Sequence, residues 1–131
     1  MSENFKLSSG TWVHTGALRL ALVAALSPMV QDAVIAGHDR DYVAVLLFPT
    51  AAASPARIEA ALRAHNARAE GATSQIVRCA LLLDEPPSID AGEITDKGYI
   101  NQRAVLERRA ALVESLFEAE GNADVIRAAD G

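Results

Sequence analysis

Val30-Gln31-Asp32-Ala33-Val34-Ile35-Ala36-Gly37-His38-Asp39-Arg40-Asp41-Tyr42-Val43-Ala44-Val45-Leu46-Leu47-Phe48 holds two apolar runs either side of a polar turn, and its reading decides the fold. Residues 30–37 form a β-type run that ends in the turn signal Gly37-His38-Asp39-Arg40-Asp41. Residues 42–48 are almost continuously apolar and stop at Pro49, which cannot donate to a strand ladder. Two such strands joined across a short turn predict an antiparallel pair buried on at least one face. Asp39, Arg40 and Asp41 read as a solvated turn.

Working outward, Leu18, Leu22, Ala25 and Leu26 recur at helical spacing from near Gly16 until Ser27-Pro28, with Thr15 as the expected cap. Before them, Phe5-Lys6-Leu7 and Thr11-Trp12-Val13 flank Ser8-Ser9-Gly10, the pattern of a small hairpin. Downstream, Ser54-Pro55 is a helix start, a capping hydroxyl followed by proline at the first helical position. That helix is predicted over 55–68, with Ile58, Ala61, Leu62 and His65 facing inward. Residues 75–83 predict a third strand, closed by Glu85-Pro86-Pro87. A last helix is predicted over 102–118, burying Val105, Leu106, Val113, Leu116 and Phe117, with Arg103, Glu107, Arg108 and Glu114 on its solvent side. Residues 120–131 are small and polar and read as a frayed tail. The order hairpin, α, β, β, α, β, loop, α gives a single α+β domain over residues 1–131, a small antiparallel or mixed sheet covered by helices behind an N-terminal β-hairpin.

Composition sets outer bounds. The 131 residues are half hydrophobic and carry a formal net charge of -5, which suits a folded domain and argues against nucleic acid or an anionic membrane as partner. Cys79 is the sole cysteine, so no intramolecular disulfide forms; in its apolar run it reads as a small core hydrophobe. With three scattered histidines it supplies no metal spacing, and no metal ligands are expected. Met1 is followed by polar and acidic residues, without the pattern of a secretory leader, and a cytoplasmic protein is the expectation.

Two loops carry the chemistry. Gly92-Glu93-Ile94-Thr95-Asp96-Lys97-Gly98-Tyr99-Ile100-Asn101 sets one lysine between Asp96 and Gly98, just ahead of a helix. A long stem, glycine flanks at Gly92 and Gly98, and exposure let such an ammonium reach an anionic centre outside its own domain. A solvated loop residue has the same local pattern. In Ser8-Ser9-Gly10-Thr11, glycine permits close backbone approach to a ligand, and the hydroxyls can donate to phosphate or amide groups; a plain hairpin turn is the simpler reading. His65 reads as a structural, partly buried residue.

Taken together, Glu3-Asn4-Phe5-Lys6-Leu7-Ser8-Ser9-Gly10-Thr11-Trp12-Val13, Gln31 to Asp41 and Glu93-Ile94-Thr95-Asp96-Lys97-Gly98-Tyr99-Ile100-Asn101-Gln102-Arg103 resemble the C-terminal domain of the adenylate-forming acyl-CoA synthetases, most of all the feruloyl-CoA synthase type. The resemblance runs from Glu3 to Phe117. It implies a two-step ligase using ATP, Mg and CoA, bound mainly by a large N-terminal adenylation domain absent from this chain, and a carboxylic acid of the ferulate kind. It further implies that Lys97 is the adenylation lysine, that Glu3 (with residues 1–4 a hinge remnant) stands at the hinge, and that Ser9, Gly10 and Thr11 face CoA. Glu3 replaces the family's usual Asp or Lys, and Thr95-Asp96 replaces the common Ser-Gly before the lysine. On this reading the chain is an excised or separately expressed lid, inactive alone. A stand-alone ligand or regulatory module would instead have its own enclosed pocket, and an oligomerising domain a broad apolar patch.

Overall fold

Strands β3 (Val30–Ala36) and β4 (Val43–Pro49) pair antiparallel in the computed structural model, which describes residues 4–118 and 123–128. From Val43 to Leu47 every residue of β4 is 0% exposed, so both faces of the sheet are covered rather than the one face the pattern required. Helix α2 (Pro55–Arg68) begins as predicted, Ser54 accepting from the Arg57 amide with Pro55 in the first turn. It crosses to β5 (Val77–Leu82), which lies parallel to β4. The sheet is therefore mixed, in the order β3-β4-β5-β6. β1 (Phe5–Lys6) and β2 (Trp12–Val13) form the separate N-terminal hairpin.

Alternation along the strands sends side chains to two cores. Leu18, Leu22 and Leu26 of α1 (Thr15–Leu26), with Ile58 and Leu62 of α2, cover Ala33, Ile35, Val45 and Leu47. On the opposite face Val105 and Leu116 from the C-terminal helices cover Val34, Leu46, Cys79 and Leu81. Full burial of each such leucine is worth about 2 kcal/mol. The result is the expected α+β class with an N-terminal hairpin.

Four local expectations change. The final helix is two, α3 (Gln102–Arg108) and α4 (Ala110–Ser115), broken where Arg109 leaves helical geometry at φ -108 and ψ 34. The tail expected to fray from 120 instead supplies β6 (Ile126–Arg127), antiparallel to β5, with Val125, Ile126 and Ala128 buried. A two-residue edge strand is too short to carry a period. Residues 1–3, 119–122 and 129–131 lie outside the described residues, Glu3 among them. Thr15 does not cap α1: it is the first helical residue and buried, and its amide donates to Asn4 Oδ1 at 3.0 Å.

Nor is the β3–β4 turn merely solvated. Arg40 Nη2 donates to both carboxylate oxygens of Glu114, at 2.5 and 2.6 Å, and Asp41 accepts from Ser8 Oγ at 2.8 Å. Hence the turn gathers the N-terminal hairpin and the last helix, and Glu114, on the solvent side as expected, has Arg40 as its surface partner. Gly37 makes this approach possible. Its φ is +145, and a Cβ there would lie 2.8 Å from the Tyr42 carbonyl oxygen and 3.3 Å from the Phe5 ring. Gly37→Ala is expected to destabilise the domain by about 2 kcal/mol, read as a lower urea midpoint at unchanged m. An unaltered midpoint would mean that the hairpin does not seat against this residue.

Candidate functional site

Lys97 stands at the tip of a hydrogen-bonded hairpin. The Thr95 amide donates to the Tyr99 carbonyl at 2.7 Å, the Gly98 amide to the Thr95 carbonyl at 2.9 Å, and Ile94 bridges Ile100. Gly98, at φ +85, takes the left-handed position that closes a three-residue loop. Glycine here meets a turn requirement. Lys97 is exposed, and among the described residues no hydrogen-bond or ion-pair partner holds it, Asp96 included.

The base of this hairpin is held by a carboxylate. Glu93 is 0% exposed. It accepts from Arg109 Nε at 2.8 Å, Arg109 Nη2 at 2.9 Å, Arg108 Nη1 at 3.2 Å and the Ser88 amide at 2.8 Å. Arg109 also donates to the Glu85 and Pro86 carbonyls at 2.9 and 3.0 Å, and its guanidinium lies 5.2 Å from the Phe48 ring centre. The Arg109 hydrogen bonds, acting against desolvation, hold the Glu93 carboxyl at about 2. Asn101 donates its amide to the Glu93 carbonyl at 2.8 Å and caps α3 through Ala104 at 3.2 Å. The Gln102 amide then pairs with the outer edge of β3, giving Nε2 to Ala33 O at 2.9 Å and accepting from Ile35 N at 3.0 Å. It occupies an edge that would otherwise be open to another strand.

None of Glu93, Arg108 and Arg109 was picked out as a site residue from sequence, and Arg108 was assigned to solvent. One signal was present: Val105, Arg109 and Val113 share i, i+4 spacing, which puts an arginine on the apolar stripe of the last helix and demands a buried partner.

The N-terminal hairpin repeats the same turn. The Leu7 amide donates to the Thr11 carbonyl at 2.9 Å and the Gly10 amide to the Leu7 carbonyl at 2.8 Å, with Gly10 at φ +90. Ser9 and Gly10 are exposed and Thr11 is half-buried. Their hydroxyls are less free than expected, since Ser9 Oγ and Thr11 Oγ1 lie 3.0 Å apart. Open space surrounds Gly10. Trp12 is half-exposed beneath the Lys6 ammonium, 5.0 Å from the ring centre. The Ser8 amide fixes this turn to the Arg40 carbonyl at 2.9 Å, at the sheet end opposite Phe48 and Arg109. The two candidate loops are thus braced separately, this one by the β3–β4 turn and the Lys97 hairpin by Arg108, Arg109 and, through Gln102, the β3 edge.

Other expected roles are structural. His65 Nε2 donates to the Gln75 carbonyl at 2.8 Å, and Cys79 is buried with its thiol pushed up by desolvation. Two surface grooves, of about 1160 and 210 Å³, are lined by none of Lys97, Ser9, Gly10 and Thr11. No helix among the described residues is long and apolar enough to cross a membrane.

The model of the AMP-binding enzyme C-terminal domain matches residues 4–121. Among solved structures, the A-PCP didomain of carboxylic acid reductase from Segniliparus rugosus in complex with AMP is 22% identical at a TM-score of 0.68, the match covering 85% of this chain and 17% of that one. The A domain of that reductase, in complex with AMP and a co-purified carboxylic acid, is 24% identical at a TM-score of 0.71, covering 87% of this chain and 19% of that one. Both likenesses speak to the fold, and the chain spans under one fifth of either structure's length. No curated protein matches.

Because the folded Glu93 carboxyl lies at about 2, below its ordinary 4.5, its contribution is complete above pH 4.5 and lost as pH falls toward 2. The shift corresponds to about 3 kcal/mol. Acid-unfolding curves are expected to show this loss in the native chain, and its absence in Glu93→Gln.

Proposed function

The chain belongs to the AMP-binding enzyme C-terminal domain family, and on that premise we propose that it is the mobile lid of an ATP-dependent acid–CoA ligase. In the first step a substrate carboxylate attacks the α-phosphorus of ATP, releasing pyrophosphate and leaving an acyl-adenylate. In the second, the CoA thiol attacks the acyl carbonyl, loses its proton and expels AMP. A larger N-terminal adenylation domain binds ATP with its Mg ion, and the acid, which we take to be aromatic and ferulate-like. The described residues here hold no group of three or more His, Cys, Asp or Glu suited to a metal, and no step is routed through one. The cytoplasm, where ATP and CoA meet, is the proposed compartment.

The observation carrying this reading is the exposed Lys97 ammonium on a braced hairpin tip. Adenylation forces a carboxylate onto a phosphate, two anions in contact. One ammonium about 4 Å away offsets on the order of 4 kcal/mol at an effective dielectric near 20, roughly a thousandfold in rate. Lys97 is the catalytic residue of that step. For the second step the lid turns about a hinge at Glu3 and presents Ser9, Gly10 and Thr11 to the pantetheine arm, the open space at Gly10 admitting close approach.

In the enzyme joining this domain to its adenylation domain, Lys97→Ala is expected to slow pyrophosphate release about a thousandfold while sparing thioester formation from supplied acyl-adenylate. Equal losses in both half-reactions would refute the assignment. Ser9→Glu, which sets a carboxylate against anionic CoA, should do the reverse, slowing thioester formation about tenfold with adenylation intact. Isolated, the chain should turn over neither half-reaction.

A further inference from the structure

We infer that Glu93, clamped by Arg108 and Arg109, is the positioning residue for Lys97, so that the ammonium is delivered by rigid-body motion of the domain rather than by a pliant loop. This rests on the reading of Lys97 as the adenylation cation, and it goes further by assigning roles to three residues outside the reacting centre.

The hairpin has one apolar anchor, half-buried Ile100, which packs against the core of Val34, Leu46, Val105 and Leu116; Ile94 is also only half-buried and Tyr99 is 64% exposed. The rest of what fixes it is polar and sits at the base. The Glu93 carbonyl accepts from Asn101 N at 2.8 Å and the Glu93 amide donates to Ser88 O at 2.9 Å. Between those two ties the carboxylate enters the domain and meets the guanidinium groups of Arg108 and Arg109. Arg109 is 7% exposed and itself locked by Glu85 O, Pro86 O and the Phe48 ring. Gln102, the residue after Asn101, adds the tie to β3. The outgoing strand is therefore tied at its base to Ser88, Arg108 and Arg109, and the returning strand, through Gln102, to the edge of β3.

Leverage makes the base decisive. Lys97 lies four positions after Glu93, roughly 13 Å of extended chain. At that length a tilt of about 5° at the base moves the tip by about 1 Å, a misplacement that costs on the order of a hundredfold in rate. Loosening the clamp is therefore a kinetic event at Lys97, though no clamp atom is near the substrate.

The test uses Glu93→Gln and the milder Arg108→Gln, which removes one half-exposed donor and leaves the Arg109 pair. In the enzyme with its adenylation domain, Glu93→Gln is expected to lower the adenylation kcat about a hundredfold at unchanged KM for ATP and acid. Thioester formation from supplied acyl-adenylate should be unaffected. Arg108→Gln should lower the same kcat several-fold. In the Lys97→Ala background neither change should cost anything more, because each acts through that lysine. Further loss in that background, or parallel loss of both half-reactions, would overturn the proposal by marking the clamp as general scaffolding. Independently of activity, amide exchange at Gly98 and Asn101 in this chain should quicken in either clamp variant and not in Lys97→Ala; unchanged exchange also overturns it. If Lys97→Ala itself leaves adenylation intact, the functional reading falls, while the exchange result still decides the clamp.

Discussion

The buried contact between Glu93 and Arg109 is the constraint on which the long segment after β5 depends. A carboxylate at 0% exposure is tolerable only when its lone pairs are met, and here side-chain donors from two arginines and one backbone amide meet them. The same arginine spends its remaining donors on the Glu85 and Pro86 carbonyls, so one guanidinium stitches the start of the loop to its middle and to the C-terminal helices. Without it, residues 84–101 would lack the apolar burial needed to hold a fixed path.

Around that contact the domain distributes its polar ties with a common logic. Ser8 with Asp41 and Arg40 with Glu114 join surface loops to neighbouring elements, while Arg19 with Asp32 and Asn66 with Val77 add polar ties between elements that already share the first core. Asn66 accepts from the Val77 amide at Oδ1 and donates from Nδ2 to the Val77 carbonyl, both at 2.8 Å, and Nδ2 also donates to the Ala128 carbonyl at 3.3 Å, tying α2 to the β5–β6 edge. Beneath them the two-sided sheet is densely apolar.

Those turns obey one geometry. Leu7-Ser8-Ser9-Gly10-Thr11 and Thr95-Asp96-Lys97-Gly98-Tyr99 close with the same pair of backbone hydrogen bonds and the same left-handed glycine. The middle position is Ser9 in one and Lys97 in the other, both exposed. One presents a small hydroxyl where a backbone can come close, the other a charged arm. Braced by different partners, they offer separate surfaces for the two half-reactions proposed above.

Local pattern was enough to place the hairpin, the strand pair 30–48, the Ser54-Pro55 helix start and the exposed lysine turn, because hydrophobic period, capping hydroxyls and left-handed glycines act over a few residues and are written there directly. What it misjudged involved partners distant in sequence. Arg108 and Arg109 meet Glu93 across fifteen and sixteen residues, Arg40 meets Glu114 across seventy-four, and Ile126 joins the sheet only because β5 offers an open edge. A charged side chain looks solvated until the fold supplies its counter-ion, and a two-residue strand looks like tail until a neighbour satisfies its backbone. The sequence by itself therefore determined which segments form and which cation protrudes. Only the tertiary structure decided what holds that cation in place, since buried electrostatics depend on distance in space and not along the chain.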